Sequence, residues 1–456
     1  MTERPSDPIQ VMAFGLGLML LFLRTSMLHE IQTMLMGFNL RLLYIFGVPA
    51  LLGVVLAGGI QRSLQRRTAW YWMGFAVWMA LTVPGSVWKM GSALLWLTYV
   101  RVDLITLFII GGLVCTWRQC KLVMYAFAGA GVVDLLASRL FLKEARFGGR
   151  LGLSFGSLAN PDDFAAHLLL TLPFLLWVAH STKSVVLRLF ALASVAIGIY
   201  TILRTGSRGA LVALVLASVF FLWRGTTRQR LALLAGTVVL IPVLVAAEPQ
   251  ESLHRITSFS DDVTSGAEAA GSTAARKYLL RKSLEYAIHN PIFGVGAGQF
   301  AWAEGVASRV GGTTHGQWQE THNTYMQVAS ECGIPALILF LCGIGSTFRL
   351  LNSTFRQARR RSDCEDIAAA SFFAMLAMVA FCTAIFFLSF AYFFYLPALA
   401  GLAIALDRTA LAEFSSRVPQ DLGPQQPPWG APPRGFHTGA ERVPPGLART
   451  ARQGAL

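Results

Sequence analysis

The stretch Glu320-Thr-His-Asn-Thr-Tyr-Met-Gln-Val-Ala-Ser-Glu-Cys-Gly-Ile334 places a histidine where a long polar segment ends and an apolar run of membrane-spanning length begins. An imidazole at the boundary of water and lipid could take a proton from a hydroxyl, because an ordinary pKa of about 6.5 leaves the neutral ring well populated near neutrality. The same position suits an interfacial or helix-capping histidine, and position alone leaves both readings open. Helix geometry limits what could orient His322. Glu331 would sit about 13 Å along the axis and half a turn round, so any carboxylate or carbonyl that fixes the ring's tautomer comes from another element. Met326 and Ala329 share the histidine's face, Glu331 reads as neutral or paired, and Gly333 with Pro335 is expected to loosen or kink the helix.

Basic residues form the second chemical signal. They gather in three places: Arg139, Lys143, Arg146 and Arg150; Arg204 and Arg208; and Arg276, Lys277, Arg281 and Lys282. Arginine's fixed fork of donors grips phosphate oxygens in two places and stays protonated, so these groups could hold an anion. Headgroup contacts, together with the chain's general preference for Arg over Lys, are the alternative account.

The elements that must position these groups are membrane helices. Of 456 residues, 54% are hydrophobic and 14% charged, with a mean hydropathy of +0.54, which excludes an ordinary soluble protein. The fold class expected is an all-α polytopic membrane protein. About twelve apolar runs can cross a roughly 30 Å hydrocarbon core, near 9–26, 40–59, 69–87, 92–114, 120–140, 162–179, 184–203, 209–223, 230–247, 324–350, 365–389 and 391–407. The first lacks a basic leader and a small-residue cleavage site, so it is expected to be retained as a helix.

Short loops carrying Arg62, Arg66, Arg67, Arg118, Lys121, Lys183, Arg188, Arg224, Arg228, Arg230 and the Arg349–Arg361 cluster define the cytoplasmic side. Both termini then lie in the cytoplasm, and the three basic groups named above face outward, against the rule. The domain reading is nine spans over 1–247, an outward loop domain over 248–321, three spans over 322–408 and a disordered cytoplasmic tail over 409–456. A net charge of +14 would suggest nucleic acid in a soluble protein, but here the cytoplasmic loops and tail account for most of it. Membrane lipid, not nucleic acid, is the expected partner. Arg101 and Asp103 lie inside the fourth run, where they need pairing or a cavity. The six cysteines lack metal-ligand spacing and read as apolar packing residues.

Three further stretches are informative. Asn160 as N-cap, Pro161 at the first helical position and Asp162 and Asp163 in the first turn make a strong helix start, and capping suffices to explain both aspartates. Gly148, Gly149, Gly152 and Gly156, just before it, suit a loop that turns tightly or approaches a ligand. From Ala274 to Asn290 the pattern is that of an amphipathic interfacial helix. The Gly294-Val-Gly-Ala-Gly298 that follows is not a dinucleotide fingerprint, because no βαβ unit surrounds it.

Four ordered motifs carry a resemblance: Arg150-x-Gly152 with the later Asn160-Pro helix start, Thr205-x-Ser-Arg-Gly209, Arg276 followed by Asn290-Pro-x-x-Gly-x-Gly296, and His322-Asn-x-Tyr325 with downstream Glu331 and Gly333. Together they cover residues 150–335 and resemble the O-antigen ligase and polymerase superfamily. The resemblance implies transfer of a polysaccharide from undecaprenyl diphosphate to a sugar of the lipid A core, at the periplasmic face of the bacterial inner membrane, with neither metal nor nucleotide cofactor. It implies that His322 matches an essential histidine and Arg208 and Arg276 two essential arginines. Arg150, Arg204, Arg281, Asn323 and Tyr325 are the expected substrate-binding residues. A polymerase extending the same lipid-linked glycan has similar motifs. A protein O-oligosaccharyltransferase of this superfamily would carry a further C-terminal domain, and a glycolipid transporter would show two repeated halves, which this chain lacks. Oligomeric state and the identities of glycan and acceptor sugar are not encoded in any motif.

Overall fold

A computed structural model describes residues 8–143, 151–247, 267–310 and 318–417, without the side chains of 142–143, 239–247 and 267–274. Arg146, Arg150, the first part of the 248–321 segment and the tail beyond residue 417 lie outside the described residues. Each of the twelve apolar runs coincides with a helix. Eight are long and apolar enough to cross a membrane: Pro8–Thr25, Lys89–Leu113, Trp117–Leu140, Pro161–Ser181, Val185–Arg204, Thr324–Arg359, Ser362–Phe387 and Tyr395–Ser416. Leu42–Leu56, Arg67–Thr82 and Arg208–Arg224, of 15, 16 and 17 residues, span only about 23–26 Å. The remaining run lies in Thr227–Ala247, which opens on a turn carrying Arg228 and Arg230. The protein is thus an all-α polytopic membrane protein. Its only described strands are Leu142–Lys143 and Gly152–Leu153, a two-residue antiparallel pair.

Local chemistry sets several helix starts. Asn160 Oδ1 accepts from Asp162 N at 2.9 Å, with Pro161 next, and Thr116 and Gln119 form a reciprocal capping box. Pro161–Ser181 and Tyr395–Ser416 are buried along most of their length and form the centre of the bundle. Val185–Arg204 lies at the rim, where Val186, Leu189 and Phe190 face outward as lipid-exposed side chains do. Small residues let backbones meet: a Cβ on Gly112 would fall 2.6 Å from the Gly59 carbonyl oxygen.

Asp103 pairs with Arg24 of the first helix, not with its neighbour Arg101, within a π-helical turn over Tyr99–Leu104. Arg24 also lies over the Phe394 ring, 4.2 Å from its centroid. The inter-helix pair neutralises the carboxylate inside the bundle, which is what an apolar surrounding demands.

The long helix Thr324–Arg359 is broken where the sequence suggested a kink. Gly333 has φ 82° and ψ 174°, outside the helical region, with Pro335 two residues on. The Asn290–Gly298 loop fills the gap. Val295 N donates to Ser330 O at 3.0 Å, Gly296 N to Glu331 O at 2.8 Å, and Ile334 N to Pro291 O at 2.7 Å. Trp78 Nε1 donates to Cys332 O at 3.0 Å, so the carbonyls freed by the break are satisfied. Glu331 then accepts from Gly298 N, Phe300 N and Tyr392 Oη at 2.8, 3.2 and 2.7 Å. It anchors the loop.

The Gly-x-Gly-x-Gly sequence therefore serves close backbone approach: a Cβ on Gly294 would lie 2.3 Å from the Glu331 carbonyl carbon. Gly333→Ala combines a Gly-only backbone with a Cβ 2.1 Å from Ile292 O and is expected to cost at least about 1–3 kcal/mol. Gly345→Ala, in open helix surface, should be neutral or stabilising by up to about 1 kcal/mol. Thermal unfolding of both variants in detergent checks this contrast, and equal melting temperatures would refute it.

Candidate active site

His322 has φ 50°, a left-handed backbone in a non-glycine residue, immediately before the cap of the long helix. Such a conformation costs of order 1–3 kcal/mol and persists only where neighbours fix it. Three residues do so. His322 N donates to Ser389 Oγ at 3.0 Å, and Thr321 Oγ1 lies 3.3 Å from the same hydroxyl. Thr324 Oγ1 donates to Leu388 O at 2.7 Å and accepts from Phe390 N at 2.9 Å. The start of the helix and the 388–391 turn are thus stitched together, and the imidazole is presented from a rigid corner.

The groups facing that ring come from other elements. Arg276, on Ala267–His289, donates from Nη2 to Asp162 Oδ2 at 2.9 Å. Asp162 is buried at the first turn of Pro161–Ser181, so it does more than complement a helix end. Both lie within electrostatic reach of His322. Burial, and then the Arg276 guanidinium, pushes the imidazole below its ordinary pKa, while Asp162 partly offsets the shift. A neutral ring at neutral pH, beside a guanidinium with donors to spare, can accept a proton next to a bound anion.

Arg208 begins Arg208–Arg224 after the Ser207 cap, and a Cβ on the adjoining Gly209 would lie 2.7 Å from the Phe387 ring. That contact sets Arg208 beside the turn that holds His322. Arg204, one turn away, donates to Tyr200 Oη at 3.2 Å, and Arg139 lies over the Tyr200 ring at 5.5 Å. Leu151 N donates to Arg204 O at 3.0 Å, which brings the glycine-rich loop to the same corner. Gly156 in that loop, at φ 85°, closes on Glu30, whose Oε2 also accepts from Ser157 N at 2.8 Å.

Arg281 is not brought to this group. The buried face of its helix is Leu279, Ser283 and Ala287, with Arg276 on the same side, and Arg281 points outward as an exposed residue. Asn323 and Tyr325 hold the scaffold. Asn323 Oδ1 caps the helix by accepting from Tyr325 N and Met326 N, both at 3.0 Å, and Tyr325 Oη donates to Cys382 O at 2.8 Å. Arg150 falls outside the described residues.

Sequence reasoning missed Asp162 as a partner of Arg276 and missed Ser389 altogether. The one signal for Ser389 was a hydroxyl within the apolar run Phe386-Phe-Leu-Ser-Phe-Ala-Tyr-Phe393, read there as a span end. It also passed over His167, fully buried one and a half turns below Asp162. His167 Nε2 lies 2.8 Å from Asp134 Oδ2, and Nδ1 lies 3.1 Å from Tyr395 Oη. This network ties three central helices together directly beneath the site.

The polytopic helical bundle thus carries an imidazole, an ion-paired guanidinium and further arginines at the end of its spans. Residues 165–341 match the family model described as O-Antigen ligase, so this central stretch is similar to that family. No curated protein matches the chain. Ser389→Ala should leave the half-buried His322 amide without its partner, at a cost of about 1 kcal/mol. A fall in the melting temperature of the purified variant checks this, and an unchanged value would show that the turn is held otherwise.

Proposed function

We propose that the protein transfers an O-antigen polysaccharide from undecaprenyl diphosphate to a sugar of the lipid A core, acting at the periplasmic face of the inner membrane in lipopolysaccharide biosynthesis. His322 is the general base. It removes the proton from the acceptor hydroxyl as that oxygen bonds to the anomeric carbon, and the bond from that carbon to the diphosphate oxygen breaks with its electron pair. Arg208 and Arg276 stabilise the negative charge gathering on the leaving lipid diphosphate. Attack opposite to the leaving group inverts the anomeric centre. Fixed guanidinium charge supplies what a divalent ion supplies elsewhere, and the proposed reaction draws on neither metal nor nucleotide.

The observation that carries this reading is the His322 imidazole, held below its ordinary pKa next to the Asp162–Arg276 pair at the end of the bundle. Asp162 acts as a positioning residue. It tethers one arm of the Arg276 fork, leaves the other N–H groups for phosphate, and favours the imidazolium that forms during transfer.

His322→Ala and Arg276→Ala should each lower transfer by about two to four orders of magnitude while flipping of the lipid-linked donor continues. Wild-type rates in purified His322→Ala would defeat the assignment of the base. Feeding the enzyme donor alone or donor plus lipid A core separates the two reactions of the superfamily, since chain extension without core would indicate a polymerase.

The pH profile is a second check. Activity requires the neutral ring, so its acid limb should lie below the ordinary imidazole value of 6.5. Asp162→Asn removes a group that raises the pKa and should move the limb to lower pH, while Arg276→Gln should move the residual activity's limb upward. Limbs that do not move in these directions would separate His322 from the pair.

A further inference from the structure

The opposite end of the bundle holds a second charged cavity. Arg224 ends the helix that Arg208 begins, and Arg359 ends the helix that starts beside His322, so both lie at the membrane face away from the active site. Between them opens a cavity of about 700 Å³ lined by Arg224, Arg228 and Arg359, with Arg361, itself paired to Asp363, at its edge and one carboxylate, Glu365, in its lining. A smaller adjoining space of about 350 Å³ adds Arg356 and Arg360.

Arrangement, more than number, marks this cavity as built. The guanidiniums of Arg224 and Arg359 share one ring, 5.2 and 5.8 Å from the Phe355 centroid. Arg224 is further fixed by its Nη2 donating to Asn352 Oδ1 and by Trp223, 5.4 Å away. Its Nε is buried with no hydrogen-bond partner among the described residues. Two like charges held on one aromatic ring, with a donor left over, are complete only when an anion sits between them. The floor is apolar, built on Phe355 and Phe372, and Trp223 and Leu231 on the flank are exposed as lipid-facing residues are. A ligand that joins phosphate to hydrocarbon fits both halves.

We propose that this cavity binds the phosphate headgroup of an anionic phospholipid, with the start of its acyl chains on the Phe355 and Phe372 floor. Arg224 and Arg359 grip the phosphate and Arg228 closes the rim. The site is independent of the chemistry at His322.

The test is native mass spectrometry of the full chain after exchange from micelles containing phosphatidylglycerol and phosphatidylethanolamine. Wild type should retain phosphatidylglycerol, and Arg224→Gln/Arg359→Gln should retain at least tenfold less at an unchanged size-exclusion profile. Arg118→Gln/Lys121→Gln, which removes two charges elsewhere on the same face, should behave as wild type. If the double variant does not fold, Arg228→Gln, an exposed rim residue, decides the question by a smaller loss of retention. Equal retention by the cavity variants would overturn the proposal. So would displacement of the lipid by millimolar inorganic diphosphate as readily as by short-chain phosphatidylglycerol, which would make it a site for free phosphate.

Discussion

The arrangement of this protein depends on one constraint: a membrane helix that stops being a helix must have its backbone groups satisfied by something else. At Gly333 the helix Thr324–Arg359 breaks, and the Asn290–Gly298 loop supplies the missing donors and acceptors. That loop is the direct continuation of the helix bearing Arg276. The break therefore docks the segment that bears Arg276 against the bundle and sets where Arg276 emerges. Glu331, which might have passed for a catalytic carboxylate, is consumed in the same task by Gly298, Phe300 and Tyr392.

A second constraint follows at the other end of that helix. His322 sits in a left-handed conformation that its own side chain does nothing to favour, and Ser389, Thr321 and Thr324 hold it there. The 388–391 turn is itself held by Gln327, whose Oε1 accepts from Ala391 N at 3.2 Å, and by Tyr392 on Glu331. Most polar side chains between 320 and 331 are thus spent on geometry. What is left over, an imidazole and the free arms of arginine, is what chemistry can use. This division explains why Asn323 and Tyr325, close to the histidine in sequence, serve the scaffold, while Asp162, 160 residues away, lies within electrostatic reach of the ring.

The two charged ends of the bundle use arginine differently. At the His322 end, Arg276 is partly neutralised by Asp162, so that its charge is placed and its forward N–H groups stay available. At the far end, Arg224 and Arg359 share an aromatic ring and face a single carboxylate. The first arrangement suits a charge that appears during a reaction, and the second a charge that is always present.

The membrane class, the helices and the likeness of the 150–335 motifs were legible in the sequence because apolar length and capping residues act locally: Asn160-Pro161 starts a helix wherever it is placed. The break at Gly333-x-Pro335 was legible for the same reason. Tertiary structure decided what depends on distance through space. Arg281 and Arg276 look alike in sequence, yet they lie on opposite faces of one helix, and only packing shows which face is buried. Asp162 reads as a helix-end charge until a guanidinium 114 residues further on closes upon it. Ser389 is a lone hydroxyl in an aromatic run, and its role exists only because the strained backbone of His322 comes to meet it.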